Sequence, residues 1–282
     1  MGIGRALIVG VPQPTYGGFS FLKAVQSDYV EMVELFQKRY GWGDNVVGLW
    51  DKDGTFELVR SHLDRLATNT KSGDIAVFYY AGHGGDVSQD GDDAEPRDQT
   101  LCLYDQQMRD DFVAVALRKF PFGARVVVMT DSCHSGSVVR DLHPSGHSTA
   151  ERKKSQRRRG RVPFLSVGLK GGALAGTTRD VQNIEDLRAD VLHMAACQDP
   201  QESNEFSGDF GSHGYFTNGL LMGIDRGATS YRMLMRNFII PETQRAKRSQ
   251  QDAQAYTYGF HQQAFADQKP FDAGAAWPPS TS

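Results

Sequence analysis

The sequence predicts a three-layer α/β/α sandwich with a mostly parallel central sheet, and two observations support this prediction. Short runs of continuous hydrophobicity recur along the chain, as is typical of strands that are buried on both faces. Segments with the apolar spacing of amphipathic helices lie between these runs, and such alternation produces a layered α/β architecture. The chain has 282 residues, a length that one large α/β domain can reach.

The predicted strands are short apolar runs. The first contains Ala-Leu-Ile-Val, and the third contains Ile-Ala-Val-Phe-Tyr-Tyr, in which no polar residue alternates with the apolar ones. Because both faces of these runs are apolar, we expect helices to cover both sides of the sheet. In chain order the predicted strands are residues 5–11, 46–50, 74–80, 125–130 and 191–196.

The predicted helices repeat apolar residues at helical spacing. The first has one apolar stripe formed by Leu22, Val25, Tyr29, Met32, Val33 and Phe36. The second follows Asp53-Gly54-Thr55, a sequence that can cap a helix N-terminus. In chain order the predicted helices are residues 21–39, 56–67, 111–119, 215–224 and 231–241.

We expect one domain over residues 1–282, and two polar segments interrupt its strand–helix rhythm. These are an acidic loop at 86–98 and a long segment at 140–190. Loops beyond ~15 residues are uncommon unless they are functional or disordered. The residues after 268 include Pro270, Pro278 and Pro279 and are predicted to form a flexible, frayed tail. The predicted regions are therefore 1–139, 140–190, 191–268 and 269–282.

Composition excludes several classes of protein. No apolar run approaches the ~20 residues that span a bilayer, and the N-terminal apolar run is shorter than a secretory signal requires, so we expect a cytoplasmic protein without a membrane partner. We also expect no prodomain, because the first strand begins near residue 5. Three cysteines without a CxxC pair give neither a disulfide framework nor a zinc signature.

Two predicted strands end in glycine-flanked turns that carry reactive side chains. One turn contains His83 within Ala-Gly-His-Gly-Gly, and the other contains Cys133 within Asp-Ser-Cys-His-Ser-Gly, 50 residues later. Ligands bind beyond the carboxyl ends of the strands in open α/β sheets. A thiolate is a nucleophile and an imidazole can activate it, so these residues predict a Cys–His catalytic dyad.

These motifs resemble the paired motifs of metacaspases, the caspase-like cysteine peptidases of bacteria, fungi, plants and protists. The resemblance runs from about residue 5 to residue 241, with the Asp-Ser-Cys-His-Ser-Gly match the most specific. Its other matches are Leu22-Lys-Ala-Val25-Gln-Ser-Asp28, Asp98-Gln-Thr-Leu-Cys-Leu-Tyr-Asp105, Ala195-Ala-Cys-Gln-Asp-Pro-Gln-Glu-Ser203 and Gly214-Tyr-Phe-Thr217.

The resemblance implies a caspase-haemoglobinase fold and hydrolysis of peptide bonds, with no cofactor required for the chemistry. Cys133 would be the nucleophile and His83 the general base and acid. The backbone N–H groups of Gly84 and Cys133 would form the oxyanion hole. Residues 1–139 would correspond to the large caspase subunit, 191–268 to the small subunit, and 140–190 to the linker between them.

The resemblance also implies an acidic substrate pocket. Asp131 lies two residues before the nucleophile, Asp28 matches a second pocket position, and Ala81 stands where the family usually has serine. Val25 likewise replaces a usual cysteine, so the pocket is less polar than is typical. Two carboxylates favour an arginine or lysine side chain and reject an acidic one. We therefore expect peptide and protein substrates with Arg or Lys before the scissile bond.

Calcium is a possible activator, since several metacaspases bind it through clustered aspartates. Asp98 matches one of these positions, and Asp110 and Asp111 resemble a following acidic pair. Carboxylate oxygens suit Ca²⁺, which takes six to eight oxygen ligands. A solvated acidic loop remains the alternative interpretation.

The net charge of −3 conceals a strongly basic segment at residues 151–161. Without it the chain carries 24 basic and 33 acidic side chains, a net charge of −9. A flexible linker and a polyanion-binding patch are alternatives, but no aromatic residue interleaves the charges, so we expect no nucleic-acid partner. An acidic pocket would accept these residues, which favours self-processing after Arg152, Lys153, Lys154, Arg157, Arg158, Arg159 or Arg161.

The leading hypothesis is therefore an Arg/Lys-specific cysteine endopeptidase that acts as a monomer. A catalytically silent, caspase-like scaffold is the alternative, and the presence of both His83 and Cys133 argues against it. An aspartate-cleaving enzyme is disfavoured by Asp131.

Overall fold

The structure is a computed structural model that describes residues 2–87, 98–132, 187–196, 205–208, 211–245 and 253–279. Its main sheet has six strands: β1 (Gly4–Val11), β2 (Val46–Trp50), β3 (Ile75–Gly82), β7 (Arg125–Asp131), β8 (Asp190–Ala195) and β11 (Gln254–Tyr258). The strand order is β2-β1-β3-β7-β8-β11. All neighbours are parallel except β11, which runs antiparallel to β8.

Helices cover both faces of this sheet, which confirms the predicted three-layer sandwich. One face packs against α2 (Phe56–Asn69) and α3 (Asp110–Leu117). The opposite face packs against the remaining helices. These are α1 (Ala24–Glu34), α4 (Tyr215–Asp225), α5 (Tyr231–Leu234), α6 (Ile240–Thr243) and α7 (Gln262–Asp267).

The central strands are buried as their composition predicts. All eight residues of β3 and all seven of β7 are buried. Side chains alternate between the two faces, so Tyr79 packs on the α1 and α4 side while Tyr80 packs on the α2 and α3 side. At the end of β7, Asp131 hydrogen-bonds to α4 and so faces the α1 and α4 side.

Smaller β elements lie outside the main sheet, and the sequence did not predict them. An antiparallel ribbon consists of β4 (Gly84–Val87), β5 (Asp98–Cys102) and β6 (Gln107–Arg109). A hairpin consists of β9 (Glu205–Gly208) and β10 (Gly211–Gly214). The ribbon takes up the ends of the segment that was predicted to be an acidic loop, whose residues 88–97 lie outside the described part.

The predicted helix at 21–39 begins later and changes its winding. Residues 21–23 are not helical, α1 begins at Ala24, and a π-helical turn at Leu35–Arg39 follows it directly. The helix predicted at 231–241 extends further, from α5 through a π-helical turn at Met235–Ile239 to α6. The predicted Thr55 cap is confirmed, since its side chain accepts from the Leu58 N–H.

The prediction of a frayed tail after residue 268 is wrong for residues 269–279, because an aromatic side chain anchors them. Phe271 is fully buried, and its N–H donates to the Tyr231 hydroxyl at 2.8 Å. The Trp277 indole N–H donates to Asp190 at 3.2 Å. Proline frequency misled the prediction, since these prolines lie within a packed segment.

No helix in the described ranges is long and apolar enough to cross a membrane.

Candidate active site

The candidate site lies at the carboxyl edge of β3 and β7. These parallel strands pair in register, with Ala81 opposite Asp131. His83 and Cys133 each come two residues later in the sequence, as the two strands leave the sheet at the same edge. Cys133 and the residues after it, through 186, lie outside the described part of the chain.

Close backbone packing explains the glycine before His83. A Cβ atom at Gly82 would lie 2.5 Å from the Tyr80 hydroxyl and 2.8 Å from the Val11 carbonyl oxygen. The carbonyl of His83 accepts hydrogen bonds from the Tyr80 hydroxyl and from the Cys102 N–H, at 2.8 and 2.9 Å. The backbone that carries the imidazole is therefore fixed from two sides.

The imidazole of His83 is oriented by the segment between β1 and α1. Its Nε2 atom lies 2.8 Å from the carbonyl oxygen of Ser20, and the ring of Phe19 packs against it with centroids 4.8 Å apart. Because a carbonyl oxygen only accepts hydrogen bonds, Nε2 carries a proton. In the neutral ring Nδ1 then has the free lone pair, which is the arrangement that a general base needs.

Asp131 is buried and bound on one of its two oxygens. Oδ2 accepts from the Thr217 hydroxyl at 2.8 Å and from the Thr217 N–H at 3.2 Å. The Tyr79 hydroxyl lies 2.7 Å from the Thr217 hydroxyl, which already donates its proton to Asp131, so Tyr79 is the donor of that bond. This chain of hydrogen bonds fixes the Asp131 carboxyl group at the end of β7.

Asp28, on α1, is buried beside Asp131 and is also bound. Its Oδ1 lies 2.8 Å from Nδ1 of His213. The Gly214 N–H lies 3.2 Å from Oδ1 and 3.1 Å from Oδ2 of Asp28. Glycine is required at 214, since a Cβ atom there would lie 2.2 Å from Oδ2 of Asp131. The two carboxyl groups thus flank the same residue, and together we call them the acidic pocket.

The electrostatics of the acidic pocket favour protonation of one acid. Burial, and then the charge of Asp28, raise the pKa of Asp131 to about 7, although the Thr217 hydrogen bonds and His213 act in the opposite direction. Oδ2 accepts two hydrogen bonds, so the proton resides on Oδ1. Asp131 is therefore expected to change its protonation state near neutral pH.

The other predicted site residues have mixed outcomes. Ala81 is fully buried within β3, and Gly84 begins β4 opposite Leu101. Asp110 begins α3 and is 4% exposed, whereas the side chains of Asp98 and Asp111 lie outside the description. Among the side chains that are described, no group of three His, Cys, Asp or Glu residues could hold a metal ion. All seven predicted processing residues lie outside the described part.

Sequence reasoning missed two contributors to the site. Ser20 acts through a backbone carbonyl, which leaves no trace in residue type. His213 lies 185 residues from Asp28 in the sequence, and only the fold brings the two together. Thr217 was matched as part of a motif, but its two hydrogen bonds to Asp131 were not foreseen.

Comparisons with known proteins identify the family of the chain. A family model described as "Caspase domain" matches residues 3–254. A metacaspase from Meyerozyma guilliermondii is 29% identical over 239 residues, which cover 72% of this chain and 57% of that protein. A metacaspase from Trypanosoma brucei brucei is 28% identical over 214 residues, covering 71% and 55%. The chain thus spans just over half the length of these relatives.

A solved structure matches almost the whole chain. The crystal structure of a protein from Geobacter sulfurreducens is 30% identical and covers 95% of this chain and 98% of that one, with a TM-score of 0.66.

Proposed function

Because the chain belongs to the caspase domain family and is metacaspase-like, we propose that it is a cysteine endopeptidase that cleaves peptide bonds after arginine or lysine. The observation that carries this proposal is the acidic pocket, which ends two residues before Cys133 and holds two buried carboxyl groups. Buried carboxylates select a cationic partner, because an acidic or apolar side chain would leave them uncompensated.

The chemistry follows from the orientation of His83. With Nε2 donating to Ser20, Nδ1 takes the thiol proton, and the Cys133 thiolate attacks the scissile carbonyl carbon. The N–H groups of Gly84 and Cys133 stabilise the oxyanion that forms. His83 then returns the proton to the leaving amine, and an acyl-enzyme remains. Water, deprotonated by the same imidazole, hydrolyses this thioester and regenerates the thiol.

The test is a panel of fluorogenic peptides that differ only in the residue before the scissile bond: Arg, Lys, norleucine or Asp. We expect Arg and Lys peptides to be cleaved at least about 100-fold faster than the others, in line with ~2–5 kcal/mol for a buried charge pair. Cys133→Ala and His83→Ala should each lose at least about 10³-fold in kcat, and the double variant should lose no more. His62→Ala, an α2 variant, should keep full activity. Equal turnover of Asp and Arg peptides would contradict the proposed specificity.

Self-processing of the linker is the second part of the proposal. Residues 151–161 supply seven side chains that the acidic pocket would accept. β7 and β8 flank the linker and pair directly, so both fragments would stay together in one sheet. The active protein should divide into two bands within this segment while Cys133→Ala stays intact. Equal cleavage of a variant with all seven basic residues changed to Gln would point to contaminating proteases.

Calcium activation is the third part of the proposal. Asp98 begins β5 and Asp110 directly follows β6, and the pairing of Thr100 with Arg109 brings these chain positions to the same end of the ribbon. Carboxylates at that end suit a hard cation. Millimolar Ca²⁺ should raise the unfolding temperature and the activity, and the double variant Asp98→Ala, Asp110→Ala should respond to neither. Wild-type protein that a chelator leaves unchanged in both measurements would overturn this part.

A further inference from the structure

We propose that His213 determines which basic side chain the acidic pocket accepts. Because His213 hydrogen-bonds to Asp28, only Oδ1 of Asp131 is left as an acceptor for the substrate. A contact to a single oxygen suits lysine as well as arginine. The inference rests on the proposed function, because it concerns the same pocket. It assigns a specificity role to a residue that the sequence motifs do not mark.

Both oxygens of Asp28 are already hydrogen-bonded within the protein. One oxygen lies 2.8 Å from the imidazole Nδ1 of His213, and both oxygens lie within 3.2 Å of the Gly214 N–H. The His213 and Asp28 side chains are each only 3% exposed. A substrate group could reach Asp28 only if the imidazole moved away, and such a move would leave a buried carboxylate without that partner.

Among the described residues, hydrogen bonds reach only one of the two oxygens of Asp131. Thr217 supplies two hydrogen bonds to Oδ2, and Oδ1 receives none from the residues that the structure describes. Since Asp131 is 6% exposed and Asp28 only 2%, Asp131 is also the more accessible acid. The pocket therefore offers an incoming cation one oxygen rather than a pair.

The number of open oxygens separates arginine from lysine. A guanidinium group gains most from two parallel hydrogen bonds to two oxygens, whereas an ammonium group is a compact point charge that one oxygen can serve. Asp28 and Asp131 flank Gly214, so an uncovered Asp28 would supply the second acceptor to a guanidinium group. Removal of the His213 imidazole should therefore favour arginine selectively.

The surroundings of His213 allow this removal. A cavity of about 70 Å³ lies against the residue, bordered by polar side chains that include Glu31, Arg39 and Asn218. In His213→Ala, water from this side can hydrate Asp28. In His213→Asn, the amide nitrogen takes the place of Nδ1 and keeps the hydrogen bond to Asp28 without the ring.

The experiment measures kcat/KM at pH 8 for two peptides that differ only in Arg or Lys. We expect an Arg:Lys ratio within about threefold of unity for the wild type, a ratio at least about tenfold higher for His213→Ala, and a return to within about threefold of the wild-type ratio for His213→Asn. A matched control is His261→Ala, since His261 Nδ1 lies 2.8 Å from Asp190 at the opposite edge of the sheet. A folded His213→Ala protein with a ratio within about twofold of wild type overturns the inference.

Peptide affinities for Cys133→Ala, with and without His213→Ala, distinguish this inference from the proposed function. A tenfold shift in the Arg:Lys affinity ratio supports the role of His213 even if the active protein cleaves neither peptide, a result that would overturn only the peptidase. Cleavage with an unchanged affinity ratio overturns the role of His213 and leaves the peptidase standing. Equal affinity for Arg, Lys and norleucine peptides overturns the inference outright.

Discussion

Under the proposed function Asp131 has to be both a buried group and a charged one, and these requirements conflict. Burial and the nearby charge of Asp28 favour the neutral acid and raise its pKa to about 7. Recognition of a cationic substrate requires the ionised form. If the proposed specificity holds, binding of a basic peptide has to displace a proton whenever the pH lies below about 7. We therefore expect kcat/KM for basic peptides to fall as the pH drops through this value.

The same pKa predicts how stability changes with pH. The folded protein holds a proton on Asp131 that the unfolded chain releases near 3.8, the ordinary pKa of an aspartic acid side chain. Because the folded pKa is raised, the contribution of Asp131 to stability is fully present below pH 3.8 and is lost as the pH rises through about 7. Denaturant unfolding at pH 5, 6, 7 and 8 should show wild-type stability falling relative to Asp131→Asn. Parallel pH profiles for the two proteins would contradict the raised pKa.

Sequence analysis identified the reactive side chains but not the groups that orient them. His83 and Cys133 were found because each follows an apolar strand in a glycine-flanked turn, where local sequence determines position, and Asp131 was found through the resemblance to metacaspases. The carbonyl of Ser20 and the imidazole of His213 act across long sequence separations, and their effect depends on distances that residue types do not encode.

The connection between β1 and α1 is the element that orients the imidazole of His83. It spans residues 12–23 and carries Ser20 and Phe19 to the His83 ring. Thr15 donates from its N–H and its hydroxyl to the Tyr104 carbonyl, at 2.9 and 2.8 Å. Within the connection, the Gln13 amide donates to the Phe19 carbonyl and the Leu22 N–H donates to the Pro12 carbonyl. The orientation of the His83 imidazole therefore depends on exposed hydrogen bonds as well as on the packing of the buried Pro12 and Pro14.

This dependence predicts the effect of Thr15→Val, which removes the hydroxyl bond but keeps the shape and the N–H bond. We expect kcat to fall about threefold to tenfold through a displaced Ser20 carbonyl, since small misplacements are costly to catalysis. The free energy of unfolding should change by only about 1 kcal/mol. Thr68→Val is the control, because it loses a similar 2.8 Å bond to Asp64 within α2. Equal kcat for both variants would contradict an orienting role.

Elements differed in how far sequence could predict them. Strands β3 and β7 were predicted within two residues at each end because every one of their residues is buried, which imposes an apolar run. The ribbon strands β4 and β6 were missed, since Gly-Gly-Asp-Val and Gln-Met-Arg show neither continuous nor alternating hydrophobicity. Short strands of this kind are specified by their pairing partners rather than by their own sequence.

At the scale of the whole molecule, the C-terminal segment stabilises the sheet by contacts at the N-terminal ends of its parallel strands. Arg125 is fully buried at the start of β7 and donates to the Asp272 and Gly73 carbonyls and to the Gln268 side chain. Its guanidinium lies 5.5 Å from the Trp277 ring centroid. This segment thereby supplies hydrogen-bond acceptors to a buried guanidinium group, whose charge would otherwise destabilise the core more strongly.

We therefore predict that Phe271→Ala destabilises the protein by about 3–5 kcal/mol, the usual cost of removing a fully buried phenylalanine side chain. Phe260→Ala should cost about 1 kcal/mol or less, because Phe260 is 69% exposed and packs only edge-to-face with Phe122. Denaturant unfolding of both variants measures the difference. Similar decreases in the free energy of unfolding for the two variants would mean that the segment does not stabilise the sheet.

The central position of β3 has a consequence for the timescale of motion at the site. β1 pairs with all eight of its residues and β7 with the first seven, so its amide protons should be among the last to exchange with solvent. The connection that bears Ser20 has few protected amides and should exchange early. His83 thus follows a strand that should open slowly and is oriented by a connection that should open quickly. The orientation of its imidazole can therefore fluctuate without any opening of the core.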